Sequence, residues 1–329
     1  MDDNYQEYLK KKHAEYVTPQ YKIDELVQKA TDSTIKFQKR LMLGEANEVY
    51  DIKTDKEKDV ILRISHGGQQ YSFKAEKWAL EESAKAGVPV PEVLYVEDFE
   101  LDGKDCSACV LKKLLGEPLG NRIHEKRITE EELSSVLKQV GMFLAKMHTV
   151  KPKRFGHLKT PGEAECDSWY EFITRHKDKT ELFKQILRGR NLDENYIPKI
   201  YEVFEEYREQ LESVTPHLIH GDMGYEHIFV DGNTVTGIID FGIAKSGEPA
   251  HDFAWWEFFK GEDENTLGYL EEGYKTESDL GSDYEIRKNI EKLFLSLQLM
   301  NYYYNGHYEE GVNICLKNMK KGLEFFQKI

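Results

Sequence analysis

No run of about 18 apolar residues, the length needed to cross a bilayer, occurs in this chain of 329 residues. The opening stretch MDDNYQEYLKKKH lacks the apolar centre of a signal peptide, so the cytoplasm is the expected location. Positive charge is also in short supply. Against 60 Asp and Glu stand 45 Lys and Arg, a net charge of −15. That balance excludes general affinity for nucleic acid or an anionic membrane surface, where phosphate contacts need Lys and Arg. It is compatible with a cationic substrate, and it also serves solubility. Cysteine is scarce, at 4 residues. Cys106 and Cys109 form a C-x-x-C, but no second pair or nearby His completes a zinc set. They read as small buried residues of a strand in DCSACVLKKLL. Cys166 and Cys315 are isolated and expected to be reduced. Internal repeats and low-complexity segments are lacking.

What is present suits a globular protein with real cores: 40% hydrophobic and 32% charged residues. From about residue 34 to 113 the chain is strand-like, with one interruption. IKFQKRLML and EVYDIKT flank the turn-prone GEAN, and VILRIS is a third strand. FKAEKWALEESAKAG reads as a helix stopped by Gly87, with Phe73, Trp78, Ala79 and Ala84 at helical spacing. VPVPEVLYVEDFE and CVLKKLL are further strands around LDGKD. Beyond Gly116 helices dominate. EELSSVLKQVGMFLAKMH carries an apolar stripe of Leu133, Val136, Leu137, Val140 and Leu144. YEFITRHKDKTELFKQIL and YIPKIYEVFEEYREQLESV are expected to follow as helices. The expected architecture is α+β, with an N-lobe over residues 1–113 and a larger, mainly helical C-lobe over 114–329. A short join near residues 112–116 places a cleft between them. Residues 1–30 read as helical and show no role.

The segment HGDMGYEHIFVDGNTVTGIIDFG concentrates the chemistry. Asp231-Gly232-Asn233 is a hairpin turn. Counting back from it sets residue 227 nearly opposite 238, with Asp240 two residues further on the same face. His227 and Asp240 are thus expected at one mouth, beside the loop that carries Asp222, anchored by Ile228, Phe229, Val230, Ile238 and Ile239. Phosphoryl transfer needs such a set: a carboxylate near the acceptor hydroxyl, divalent metal across the phosphates, and fixed positive charge. Asp222 is the expected catalytic group. Asp240 is the expected Mg²⁺ ligand, since Mg²⁺ prefers hard oxygen donors. His227 binds a second metal, holds a metal-bound water, or hydrogen-bonds Asp222; imidazole is a softer ligand.

HGDMGYEHIFV followed by GIIDFGIAKSGEPAHDFAWW resembles the aminoglycoside phosphotransferase superfamily, whose core resembles eukaryotic protein kinases. The likeness runs over nearly the whole chain from about residue 37. It implies a bilobal kinase-like fold, with a small antiparallel-sheet N-lobe, and transfer of the γ-phosphoryl group of ATP or GTP to a hydroxyl of a small molecule. It further implies that LGEANEVYDI, with Gly44 and Asn47, covers the nucleotide. It assigns phosphate contact to Arg63, pairs Glu76 with that base, and makes Lys113 to Leu115 the hinge that meets the nucleobase. Relatives often have Asn where this chain has His227. Macrolide phosphotransferases and one branch of the aminoglycoside enzymes also look to carry His there, and both are associated with GTP. His-Gly-Asp leans toward the macrolide type. Glu257, Glu262, Asp263 and Glu264 lean toward polyamine-like acceptors, or simply form a solvated helix start. Trp255 is an expected substrate-lining residue, although Trp255, Trp256, Phe258 and Phe259 also suit a core. Asp252 suits the fixing of a loop. An antibiotic is the favoured acceptor. The alternatives are a metabolic kinase acting on a choline-like or sugar-like compound, and a kinase-like binding protein that no longer catalyses.

Overall fold

In the computed structural model the described residues are 17–42, 47–67, 73–260 and 264–328. Gly44 and Glu262 lie outside them, as does Asp263. The described residues open with helix α1 (Gln20–Thr31) and strands β1 (Ile35–Leu41), β2 (Asn47–Thr54) and β3 (Asp59–Ser65). Helix α2 (Phe73–Lys85) and strands β4 (Val93–Leu101) and β5 (Lys104–Lys112) follow. The strands form one antiparallel sheet in the order β1-β2-β3-β5-β4.

Period-two alternation decides what each face of that sheet does. Tyr50, Ile52, Val60, Leu62, Ile64, Ala108 and Val110 point to one face, where Ile23, Leu26 and Val27 of α1 cover them. The N-terminal helix, whose purpose was not legible, is therefore the roof of the sheet. Burying each of these aliphatic side chains contributes roughly 1.5–3 kcal/mol before entropy is set against it. Arg63 faces the other way, toward α2 and the C-lobe. On α2 the buried positions are Phe73, Glu76, Ala79, Leu80 and Ser83. Ala84, expected on that stripe, is exposed. Cys106 and Cys109 are buried free thiols of β5.

The larger lobe opens with β6 (Glu117–Pro118), α3 (Leu119–His124) and α4 (Glu130–Met147). A capping box, Thr129 with Glu132, starts α4. Next come β7 (Phe155–Thr160), β8 (Glu163–Cys166), α5 (Trp169–Thr174), α6 (Thr180–Arg188), α7 (Tyr196–Glu206) and α8 (Arg208–Glu212). The single helix expected over residues 170–187 is two, broken by a 3₁₀ turn at Lys177–Lys179. That over 196–214 breaks at Tyr207. Strands β9 (His217–Ile219), β10 (Ile228–Asp231), β11 (Thr234–Ile238) and β12 (Lys245–Gly247) carry the site, and α9 (Ala250–Lys260), α10 (Glu264–Tyr274), α11 (Tyr284–Asn305) and α12 (Glu309–Phe326) finish the lobe. Two small sheets, β11-β10-β6 and β8-β7-β12-β9, lie under the cleft. The architecture is the expected α+β, bilobal one. None of the described helices is long and apolar enough to cross a membrane.

Candidate active site

The loop after β9 is pinned from below by one buried carboxylate. Asp252, in the first turn of α9, accepts from the backbone N–H of His220 at 2.9 Å and of Gly221 at 2.7 Å. His148, at the end of α4, lies 3.1 Å from the same carboxylate through Nε2. Burial alone would raise the Asp252 carboxyl, but the His148 hydrogen bond and charge, with the loop N–H groups, hold it well below the usual carboxylate range. His220 closes the loop from above. Its Nε2–H donates to the Ile239 carbonyl at 2.9 Å, and its Nδ1 accepts from the Asp222 N–H at 3.2 Å. Burial pushes the His220 imidazole down to about 4, so it is neutral and one nitrogen accepts while the other donates. Asp252 thus fixes the loop, as expected. His148 was readable only as a helix end.

The hairpin register differs from simple counting by one residue. Asp231 pairs with Thr234 across the turn, but a bulge between Phe229 and Val230 shifts the pairing so that Ile228 faces Ile238. The Ile239 N–H then donates to the His227 carbonyl at 2.9 Å. Asp240 does not reach the mouth by strand alternation. It adopts a left-handed backbone, φ 68°, that ends the strand and turns its side chain back. His227 sits in a 3₁₀ turn, not in β10.

These departures still bring the groups together. His227 Nε2 is 3.7 Å from Asp240 Oδ2, and His227 Nδ1 is 4.0 Å from Asp222 Oδ2. Ligand atoms of Asp222, His227 and Asp240 all lie within 4.8 Å of one another. His227 Nδ1–H donates to the Asp222 backbone carbonyl at 2.7 Å. That bond occupies Nδ1 and leaves Nε2 facing the Asp240 carboxylate. A ring nitrogen and a carboxylate 3.7 Å apart, beyond direct hydrogen-bond distance, leave room for a cation in the gap. Burial pushes the Asp222 carboxyl up to about 6; His227 opposes the rise and Asp240 adds to it. Burial would also raise Asp240, but Arg63 and His227 outweigh it and hold its carboxyl low.

Arg63 bridges the lobes. Nη1 pairs with Glu76 of α2, while Nη2 is 3.3 Å from Asp240 Oδ1. The guanidinium lies 5.1 Å from the Phe73 ring centre. Glu76 therefore holds Arg63 over the cleft, with its fork toward Asp240. At the hinge, the Lys113 N–H donates to the Asp59 carbonyl at 3.0 Å, and the Leu115 carbonyl accepts from Thr236 Oγ1 at 2.7 Å. The Lys113 side chain is taken by Asp51, 2.7 Å away. Asn47 opens β2 opposite Ser65, immediately after residues outside the described set.

On the acceptor side Glu257 is engaged within the lobe. Its carboxylate lies 2.6 Å from Lys292 Nζ and 3.1 Å from Lys288 Nζ, so its charge is already met within the lobe. Trp255 is partly buried, 4.9 Å from Phe259 between ring centres, with the buried Lys245 ammonium 5.8 Å from its ring. Trp256 and Phe258 belong to the core.

With the geometry in hand, known proteins can be set beside it. The model of the phosphotransferase enzyme family matches residues 38–286. Hygromycin-B 4-O-kinase of Escherichia coli is 23% identical over 188 residues, which is 55% of this chain and 51% of that protein. The match thus spans about half the length of that curated relative. Among solved structures, a thermostable mutant of aminoglycoside phosphotransferase APH(4)-Ia, in ternary complex with AMP-PNP and hygromycin B, superposes with TM-score 0.68 at 17% identity. The superposition covers 92% of this chain and 98% of that one. The GDP complex of aminoglycoside 2'-phosphotransferase-IIIa gives TM-score 0.60 at 17% identity, over 93% and 99%. At such identity these structures speak for the fold.

Proposed function

The chain belongs to the phosphotransferase enzyme family, and on that premise we propose that it moves the γ-phosphoryl group of ATP or GTP to a hydroxyl of a small molecule, with an aminoglycoside or macrolide antibiotic as the favoured acceptor. The observation that carries this reading is the meeting of Asp222, His227 and Asp240 at the foot of Arg63. The donor set fits a divalent cation, since two carboxylates and an imidazole nitrogen converge within 4.8 Å of one another, with His227 Nε2 and Asp240 3.7 Å apart. Asp240 and His227 Nε2 would hold Mg²⁺, which supplies positive charge across the triphosphate oxygens. Asp222 orients the acceptor hydroxyl and takes its proton. Arg63, held by Glu76, contacts phosphate oxygens. The hinge at Lys113 to Leu115 meets the base, and the stretch with Gly44 and Asn47 covers the phosphates. Solved relatives hold AMP-PNP with hygromycin B in one case, gentamicin in another and GDP in a third, which supports the nucleotide and acceptor classes.

The test is a panel of aminoglycosides, macrolides and choline-like and sugar-like hydroxyl compounds, each offered ATP and GTP with Mg²⁺, read by mass. An added phosphate on an antibiotic is the expected result. Phosphate appearing only on a choline-like or sugar-like compound would shift the reading to a metabolic kinase. No transfer and no nucleotide turnover under any condition would leave a binding protein.

A further inference from the structure

One cation near the site has no place in the scheme above. Lys245, in β12, is fully buried. Its Nζ lies 3.4 Å from the Gly221 carbonyl, the residue before Asp222. Among the described residues no carboxylate lies within ion-pairing reach of it, although an ammonium carries three N–H donors. Its methylene stem packs in the floor beneath the loop, and the ring of Trp255 lies 5.8 Å from Nζ. A buried ammonium with no carboxylate in direct contact is costly to desolvate, so a packed apolar side chain would be the more stable choice for a purely structural position.

Gly221 shows where that ammonium sits. A Cβ on Gly221 would come 2.4 Å from Lys245 Nζ, and the residue has φ +75°. The left-handed conformation alone would still admit Asn. The ammonium fills the space a side chain at 221 would need, so Gly221 and Lys245 form one device: the loop gives up a side chain and receives a cation from the strand below. Burial lowers the Lys245 pKa to about 8, while Asp252 and Asp222 oppose the drop, so the group is largely protonated at neutral pH.

We propose that Lys245 is a positioning residue for phosphoryl transfer, its ammonium standing in for a side chain at Gly221 to fix the peptide that leads into Asp222 and to set positive charge on the acceptor side of that carboxylate. This rests on reading Asp222 as the group that orients the hydroxyl. The Arg63 charge reaches the cleft from the nucleotide side, and Lys245 is its counterpart from beneath. A misplacement of Asp222 by a fraction of an ångström affects turnover more than nucleotide affinity.

The experiment compares Lys245→Met with the parent protein by thermal unfolding and steady-state kinetics on whichever acceptor the panel identifies. The expected result is unfolding at the same or a higher temperature, KM for the nucleotide within about twofold, and kcat lower by about 30-fold or more. A second arm uses Gly221→Asn, expected to lower kcat by about 100-fold alone and to recover at least about tenfold of that loss when combined with Lys245→Gly. Unchanged kcat in a folded Lys245→Met protein, or strict additivity in the second arm, overturns the proposal. If Lys245→Met and Lys245→Gln both fail to fold, the ammonium is a structural element and the proposal also fails. Asp222→Ala separates the two layers. If it retains turnover, the reading of the site is at fault; if it is inactive while Lys245→Met is fully active, only the role of Lys245 falls.

Discussion

Asp222 has one carboxylate oxygen 4.0 Å from His227 Nδ1, and its backbone carbonyl already accepts the proton of that nitrogen. The side chain is thus left to the acceptor. Asp222→Ala should lower kcat by about 10²–10⁴-fold and leave nucleotide binding nearly unchanged, by calorimetry with a non-hydrolysable nucleotide. His227→Asn keeps a donor and an acceptor at the same place, so it should retain turnover within about tenfold while shifting the preference between Mg²⁺ and softer metals. A folded but inactive His227→Asn protein would show that the imidazole has another duty. Asp252 tests a different kind of role. It serves two loop N–H groups and His148 at once, and Asn can satisfy only part of that set. Asp252→Asn should therefore destabilise the protein by about 3–5 kcal/mol in urea unfolding. Since its folded carboxyl is held low, the ionised form is favoured by folding. That stabilisation is present above the unfolded pKa of about 3.9 and is lost as pH falls toward the folded value. The variant should lose that part of the acid dependence.

Helices and strands decide how finely these groups are set. Helices α4 and α10 cross at backbone contact. A Cβ at Gly141 would lie 2.0 Å from the Leu270 carbonyl oxygen, and one at Gly273 1.9 Å from that of Lys138. Because α4 ends at His148, the crossing feeds directly into the loop anchor. Gly141→Ala should cost about 1–3 kcal/mol or more through forced separation of the helices, measured by thermal or urea unfolding. In the N-lobe, Leu26→Ala on α1 should cost about 2–5 kcal/mol, since Leu26 is fully buried against the sheet. Much at this scale was legible in the sequence. The strand alternation in VILRIS placed Arg63 opposite Leu62 and Ile64, and the turn residues located the β10–β11 hairpin. What was hidden has physical reasons. The bulge opposite Phe229–Val230 leaves Thr236 unpaired beside Gly237, a lone glycine that counting from the turn did not weigh. Asp240 turns by a left-handed backbone that alternation cannot express. The Gly221–Lys245 contact joins segments 24 residues apart, and only packing reveals it. The breaks at 177–179 and Tyr207 interrupt sequences whose helix propensity is sound, because tertiary packing overrides so weak a preference.

The whole molecule is two lobes joined by a short hinge, and among the described residues a charged contact, Arg63 to Asp240, reaches from one to the other. The roof helix α1 stiffens the sheet that presents Arg63, and the α9 anchor stiffens the loop that presents Asp222. Transfer in this picture depends on both sides meeting around one metal–nucleotide complex. The acidity of the chain, −15 overall, favours a cationic acceptor only as a diffuse field, since Glu257 is neutralised locally. The most direct test is an anomalous-difference map from crystals grown with Mn²⁺ and a non-hydrolysable nucleoside triphosphate. The expected result is a metal peak within bonding distance of the Asp240 carboxylate and His227 Nε2, with the terminal phosphate facing Asp222. A nucleotide bound in the cleft with its metal touching neither residue, or bound outside the cleft, would contradict the account.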